Sequence, residues 1–352
     1  MANNNLHAAN KAKKNEFYTQ YEDIEREMNA YYEHNKDVFR DKIILLPCDD
    51  PEWSNFTKYF VANFDVFGIK KLISTSYALS SGNNTTTDFE KQSPHYDKIK
   101  HEKNGKVFVL ERKDSPVAFE DIKFTYLEGD GDFRSEEVKK FRDEADIIIT
   151  NPPFALFREF IAWIMEANKK FSVIGNQNAI TYKEIFPLIK SNKIWLGNGF
   201  KGNVGFFKSP YEDTASASEH KEGMIRVSGV MWFTNLDLKK RHKPMELMSM
   251  EDNLKFNRPF INKLKKDFGE VKYYKYDNYE GLDVPITEAI PSDYNGVLGV
   301  PITFLTKYCP EQFELVQFRK GDDGKDLAIN GECPYFRILI KLKREDADKN
   351  ED

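Results

Sequence analysis

The stretch DIIITNPPFALF, residues 146–157, sets the architecture of this chain. Residues 146–150 form a short, β-branched apolar run, which predicts a strand buried on both faces. Asn151-Pro152-Pro153 ends it, because proline brings no ladder donor and restricts φ to about −65°. Helical periodicity then takes over across residues 155–169. A strand running through a tight turn into a helix is the unit from which parallel sheets are assembled.

The same alternation extends outward on both sides. KIILL (42–46) reads as a buried strand, and Trp53, Phe56, Phe60, Phe64 and Phe67 recur at helical spacing, predicting one amphipathic helix that ends at Gly68. KLISTSY (71–77) is a second strand, 79–95 a polar loop, and KVFVLER and IKFTYLEG supply further strands. Ser135 is placed to cap the helix SEEVKKFRDEA, whose Glu136 and Glu137 complement the positive end of its dipole. FSVIGNQ (171–177) is another strand, followed by a helix through Ile189 and the strand-like runs KIWLG, NVGFFK and IRVSGVMWFTN. The fold class is therefore α/β, a mostly parallel sheet with helices on both faces. Such sheets bind ligands beyond the carboxyl ends of their strands.

Residues 209–223 read as a mobile loop, and regular alternation is lost after Asn235. The chain divides into a basic arm (1–15), a catalytic domain (16–235) and a smaller C-terminal region (236–352) whose last strands are expected to pack on the catalytic domain. The arm carries Lys11, Lys13 and Lys14 with no acid before Glu16, and reads as a disordered solvated tail before a phosphate-binding one.

Composition narrows the class. Hydrophobic residues make up 40% and aromatics 14%, so the chain can bury a core. A net charge of −5 argues against wholesale wrapping of nucleic acid but leaves room for one basic face. Cys48, Cys309 and Cys333 are far apart, so neither a disulfide framework nor a metal cluster is indicated. With no apolar leader and no run of spanning length, a cytoplasmic protein without membrane contact is expected.

Four segments carry chemistry. Asn-Pro is a common turn, but at the tip of a buried strand it also offers two fixed acceptors, the Asn151 side-chain oxygen and the Pro152 carbonyl. Aimed at the two N–H bonds of an aromatic amine such as adenine N6, they localise a lone pair that the ring otherwise delocalises. Pro152 and Pro153 hold them in place beforehand, and Phe154 offers a face for the ring. The chemistry this suits is in-line displacement at a sulfonium methyl, with S-adenosylmethionine as cofactor and no metal.

In LLPCDDPEWSNF (45–56), Asp49 and Asp50 follow the first strand. An acid there can pair with the cofactor's amino group, or Asp50 can simply cap the next helix; on residue chemistry both readings stand. In YLEGDGDFRS (126–135), Asp130 and Asp132 suit acceptors for the cofactor's adenine amine and Phe133 a ring stacking beside it, with a Gly-Asp turn as the equal alternative. Phe17, Tyr18 and Thr19 can cover the methionine end, or cap a helix with core aromatics.

Between 236 and 277, eleven Lys and Arg outnumber seven Asp and Glu in a chain that is acidic overall. Lys239, Lys240 and Arg241, with Lys243, Arg258, Lys263, Lys265 and Lys266 beyond them, form either a phosphate-contacting face or a solvated one. Trp232 and Phe233 fit strand-core packing better than a base pocket.

Taken together and in this order, these segments resemble the adenine-N6 DNA methyltransferases of the EcoRI-type modification methylase family. EFYTQYEDIE resembles its N-terminal cofactor motif, CDDP its first-strand motif, GDGDF its acidic motif and TNPPF its catalytic motif. VMWFTNLDLKKRHK and PYFRILIKLK are similar as well. The resemblance implies a Rossmann-like class I methyltransferase fold with a seven-stranded sheet, Cys48 beside Asp49 and Asp50 in the cofactor site, and a C-terminal target-recognition region. It also implies double-stranded DNA as partner, a target base flipped into the site, and a companion restriction endonuclease acting on the same sequence without a stable complex. The chain departs from the wider methyltransferase pattern in two places: CDDPEW has no Gly-x-Gly, and the second strand ends in STSY without an acid. RNA or a protein glutamine as substrate, and a non-catalytic DNA-binding relative, are the alternatives.

Overall fold

The computed structural model describes residues 18–78, 96–112, 123–208, 224–319, 327–332 and 336–343. Phe17, the basic arm and the segments 79–95 and 209–223 lie outside them. The chain forms two compact units, one from Met1–Ala179 with Leu196–Leu238, the other from Ile180–Trp195 with Lys239–Asp352, each over its described residues.

The first unit starts with strand β1 (Tyr18–Thr19) and helix α1 (Tyr21–His34). Strand β2 (Ile43–Leu46) leads through a loop into α2 (Asn55–Ala62) and α3 (Phe64–Phe67), then β3 (Lys71–Thr75). The single helix expected here is broken at Asn63, whose φ of −105° and ψ of 10° leave the helical region. Its stop is as expected, with Gly68 in the left-handed conformation at φ 63°. Next come α4 (Lys98–Lys103), β4 (Lys106–Glu111), β5 (Thr125–Tyr126), α5 (Glu136–Glu144), β6 (Ile147–Thr150), α6 (Phe157–Glu166) and β7 (Lys170–Asn176). Ser135 does cap α5, accepting from Val138 N at 3.2 Å. The chain passes between units at β8 (Trp195–Leu196) and continues as β9 (Val204–Lys208), β10 (Met224–Ser228) and β11 (Val230–Thr234).

The main sheet has the order β5-β4-β3-β2-β6-β7-β11-β8, eight described strands where seven were expected. β3, β2, β6 and β7 run parallel to one another; β4, β5 and β11 are antiparallel to the neighbours they pair with. Parallel pairing needs a covering crossover, and β11 arrives by another route. It follows β10 directly through Gly229, where a φ of 70° splits the apparent run IRVSGVMWFTN in two. β10 instead pairs with β9, and β9 with β1, in a separate three-stranded sheet. The runs of the central strands are continuous because both faces are covered: β6 and β11 are buried throughout. Trp232 stacks on Phe200 at 5.8 Å and Phe233 packs on Phe157 at 5.0 Å, so both are core residues.

The second unit contains helices α7 (Phe186–Lys190), α8 (Met250–Phe256) and α9 (Arg258–Phe268). Its strands β12 (Tyr274–Lys275), β13 (Gly281–Asp283), β14 (Val297–Val300), β15 (Phe313–Arg319) and β16 (Arg337–Leu342) form a sheet of order β12-β13-β14-β16-β15. A buried ion pair, Arg337 Nε to Asp283 Oδ1 at 2.8 Å, is completed by the Tyr276 hydroxyl donating to the same oxygen at 2.7 Å. Burial of that pair is tolerable because the carboxylate's hydrogen bonds are made inside the protein.

Candidate active site at the carboxyl ends of the central strands

Asn151 is the first residue beyond β6 and is half-buried, Pro152 is buried, and Pro153 and Phe154 are half-buried. Neither proline is preceded by a cis bond. Pro153 O accepts from Leu156 N at 2.9 Å, so the turn is closed by Pro153 and not by the Pro152 carbonyl.

Thr150, immediately before Asn151, anchors this turn. Its hydroxyl donates to Asp49 Oδ2 at 2.6 Å, and the Ser54 hydroxyl donates to Asp49 Oδ1 at 2.6 Å. Asp49 N in turn donates to Thr75 O, and the Ser74 hydroxyl to Asp49 O. Asp49 is thus a buried clasp joining the ends of β2, β3 and β6, with only 5% of its surface exposed. Burial pushes its carboxyl up to about 7, although both hydroxyl donors pull the other way and the charge of Asp50 adds to the rise. Burial, then the Asp49 charge, pushes the adjacent Cys48 thiol up as well.

Asp50 has a different job. Ser54, not Asp50, caps α2, its hydroxyl accepting from Phe56 N at 3.0 Å. Asp50 Oδ1 accepts from Glu52 N and Trp53 N at 2.9 and 3.1 Å, which closes the loop after β2. Its Oδ2 accepts from Lys106 Nζ at 2.9 Å, and the same ammonium donates to Glu52 Oε2 at 3.0 Å. Lys106 is buried, with 5% of its side chain exposed. Burial works against its charge, but Asp50 and Glu52 outweigh that and hold the pKa above its ordinary value. Nothing in the sequence singled Lys106 out beyond its being a lysine at the head of an apolar strand.

The acidic loop 128–132 is packed against this region through backbone. Gly105 N donates to Gly129 O and Ala78 N to Asp130 O. A Cβ on Gly131 would lie 2.2 Å from Ser76 O, and one on Gly105 would lie 2.7 Å from Gly131 Cα, so both positions require glycine. Asp130 Oδ1 accepts from Asp132 N, and Asp132 is engaged by Arg134 at 2.7 Å, whose hydrogen bonds lower its pKa. Arg134 also reaches Glu159 on α6. Phe133 does not offer a stacking face: it is 4% exposed and packs edge-on against Phe160 and Trp163 of α6.

From the N-terminal side, Thr19 O accepts from Asn55 Nδ2 at 2.8 Å, tying β1 to the start of α2. Tyr18 lies in β1, paired with Lys208. Thr19 is 3% exposed, and its buried hydroxyl has no partner among the described residues. The structure therefore brings Thr19, Cys48, Asp49, Asp50, the 128–132 loop and Asn151 into one linked network, with Thr150 and Lys106 as the links that were not anticipated.

Asn151 and Pro152 thus follow directly on a strand end that Thr150 ties to Asp49. The family described as "Adenine-specific methyltransferase EcoRI" matches residues 5–343. The chain belongs to this EcoRI methyltransferase family. Among curated proteins it is 46% identical over 345 residues to the type II methyltransferase M.EcoRI of Escherichia coli, covering 96% of each. It is 31% identical to M.MpnI of Mycoplasma pneumoniae and 32% to M.MgeORF184P of Mycoplasma genitalium, both type II methyltransferases, again over 96% of the chain. No solved structure matches. As an EcoRI-family member, the chain is an adenine-specific methyltransferase, and Asn151 and Pro152 stand at the tip of a central strand of a mixed α/β sheet.

In the second unit, Lys239 and Lys240 are exposed on the 3₁₀ turn Lys239–His242. Arg241 is half-buried: its guanidinium stacks over the Trp195 ring at 3.9 Å and donates to Asn192 Oδ1 at 3.1 Å. Among the described residues no helix is long and apolar enough to cross a membrane.

Proposed function

We propose that this protein transfers a methyl group from S-adenosylmethionine to the N6 amine of an adenine flipped out of double-stranded DNA, as the modification enzyme of a restriction-modification system. The observation that carries the reading is the clasp of Thr150 on Asp49, which fixes the residue before Asn151 to the loop after β2. Substrate-activating and cofactor-binding segments are thereby held as one rigid body before either ligand arrives.

The residues present fit the cofactor. When bound it supplies a methyl group on a positively charged sulfur, and the loops carry Asp50, Glu52, Asp130 and Asp132 against Lys106 and Arg134, an acidic balance that suits a cation. Asp50 and the 128–132 loop would hold it, with Cys48 and Asp49 shaping the floor and Phe17, Tyr18 and Thr19 covering it. With its ring in the core, Phe133 would contribute through its backbone. The buried Thr19 hydroxyl, which has no partner among the described residues, is a polar group suited to meeting a ligand. On the substrate side, Asn151 Oδ1 and Pro152 O accept the two amine hydrogens and aim the lone pair, and Phe154 packs on the adenine ring. The amine becomes acidic only as its new bond forms, so no strongly basic side chain is needed.

The parallel centre β3-β2-β6-β7 supports a Rossmann-like class I arrangement with antiparallel strands added at its edges. Residues 236–352 would act as the DNA-recognition region, with Lys239 and Lys240 contacting phosphates; Arg241 would order that segment through Trp195 before it meets DNA. A companion endonuclease would act on the same sequence without a stable complex, in the cytoplasm. Methyl transfer measured in parallel on duplex DNA, RNA and a glutamine-containing peptide, with sequencing of modified adenines, tests the reading. Transfer to RNA or peptide alone would replace it, and absence of S-adenosylmethionine binding with or without DNA would favour a non-catalytic relative.

A further inference from the structure

Phe256 is the most exposed aromatic among the described residues, at 68% of its surface. It ends α8, one residue before the N-cap of α9, and the elbow between the helices is rigid. Asn257, 8% exposed, accepts from Phe260 N at 3.2 Å while its amide donates to Asn253 Oδ1 at 3.0 Å and to Glu288 O at 3.1 Å. Pro259 in the first turn of α9 restricts the backbone further. An exposed ring on such an elbow is held out by the protein and does not owe its exposure to a loose loop.

The helix that follows has two unlike faces. Phe260 and Leu264 are buried. Arg258, Asn262, Lys265 and Lys266, at i, i+4, i+7 and i+8, lie together on the other side and are all exposed. No ion pair among the described residues involves Arg258, Lys265 or Lys266, whereas Lys263 of the same helix is neutralised by Asp267 and Lys255 of α8 by Glu251. Three unneutralised cations and an amide on one helix face, in a chain of net charge −5, stand apart from the charge of the whole.

We infer that this face is a duplex-DNA docking surface, in which Arg258, Lys265 and Lys266 contact phosphates and Phe256 wedges against the base stack. The inference rests on the DNA reading above. Charge complementarity names the occupant: an exposed ring two residues before Arg258, at the head of a helix with a basic face, matches the wedge-plus-phosphate arrangement by which proteins unstack a duplex. A ring inserted at a base step unstacks it and kinks the duplex, and phosphate contacts on the same surface hold the protein in register while it does so.

The test uses the full chain and a fluorescein-labelled duplex carrying the sequence found to be methylated, with 2-aminopurine at the target position in a second duplex. Phe256→Ala should weaken binding about tenfold or more and lower the 2-aminopurine signal, Phe256→Trp should keep both, and cofactor affinity by calorimetry should not change. Converting Arg258, Lys265 and Lys266 together to Gln should flatten the dependence of log K on log salt by about 0.9 for each phosphate that is no longer neutralised. Wild-type affinity and 2-aminopurine signal in Phe256→Ala, or an unchanged salt slope in the triple variant, would overturn the inference while leaving the enzymatic reading intact. A wild-type chain that binds no DNA would sink both.

Discussion

Thr150→Val removes one hydroxyl from the clasp and leaves the side-chain volume almost unchanged, so its effect isolates the hydrogen bond to Asp49. That bond is 2.6 Å long and its acceptor is 5% exposed. At pH 8, above the Asp49 value of about 7, the carboxylate is charged, and losing a donor to a buried charged group should cost about 2 kcal/mol. At pH 6 the carboxyl is mostly protonated, a neutral acceptor is worth roughly half as much, and the cost should be nearer about 1 kcal/mol. The wild-type background has a definite sign. Because the folded value lies above the ordinary 3.8, the folded state binds this proton more tightly, and the stability contributed by Asp49 falls as pH rises from about 4 to about 7 and is level beyond. Three pH units at about 1.4 kcal/mol each set an upper bound of roughly 4 kcal/mol on that fall. Without the Thr150 donor the folded value climbs further, so the falling limb should extend past pH 7. Urea unfolding of wild type, Thr150→Val and Thr150→Ser at pH 6 and pH 8 measures this. Equal destabilisation by valine at both pH values, or serine behaving like valine, would refute the clasp.

Asn151→Ala should leave the unfolding midpoint and cofactor affinity near wild type while turnover falls about a hundredfold or more, as for loss of one preorganised transition-state contact; wild-type turnover would remove its role. Lys106→Met leaves Asp50 and Glu52 adjacent without their cation, and calorimetry should find cofactor affinity reduced about tenfold with DNA affinity unchanged and Lys106→Arg partly restoring it. Glu27, buried on α1, accepts from the Asn198 and Gly199 amides and from the Tyr31 hydroxyl. Glu27→Gln turns one acceptor into a donor facing a donor and should cost about 2 kcal/mol in thermal unfolding; a neutral result would mean the loop 197–199 is held by other contacts. Lys239→Gln with Lys240→Gln should lower the salt slope of DNA binding, and an unaltered slope would exclude both lysines.

Local sequence was informative where one residue's chemistry acts on its own neighbours. The run from residue 146 to 150 is a strand because its apolar residues can be buried on both faces, Asn-Pro-Pro ends it for want of a donor, Ser135 caps its helix and Gly68 stops another. All of these depend on interactions within a few residues. The position of Asn151 and Pro152 at a strand end was readable for the same reason, since strand, turn and helix are contiguous. Resemblance of several segments in order then identified the family, which the individual motifs could not have done.

The tertiary structure decided the long-range pairings. Thr150 and Asp49 are 101 residues apart, and Lys106 and Asp50 56 apart. Neither pairing has a local signature, because a hydroxyl or an ammonium reads the same whether it faces water or a buried carboxylate. The same holds for Phe133, whose ring turns into the core, and for β11, whose direction depends on the path taken from β10 through Gly229. Periodicity along a chain reports which face of an element is apolar. It carries no information about which other element covers that face, and the charges, clasps and strand directions of this protein are set by that choice.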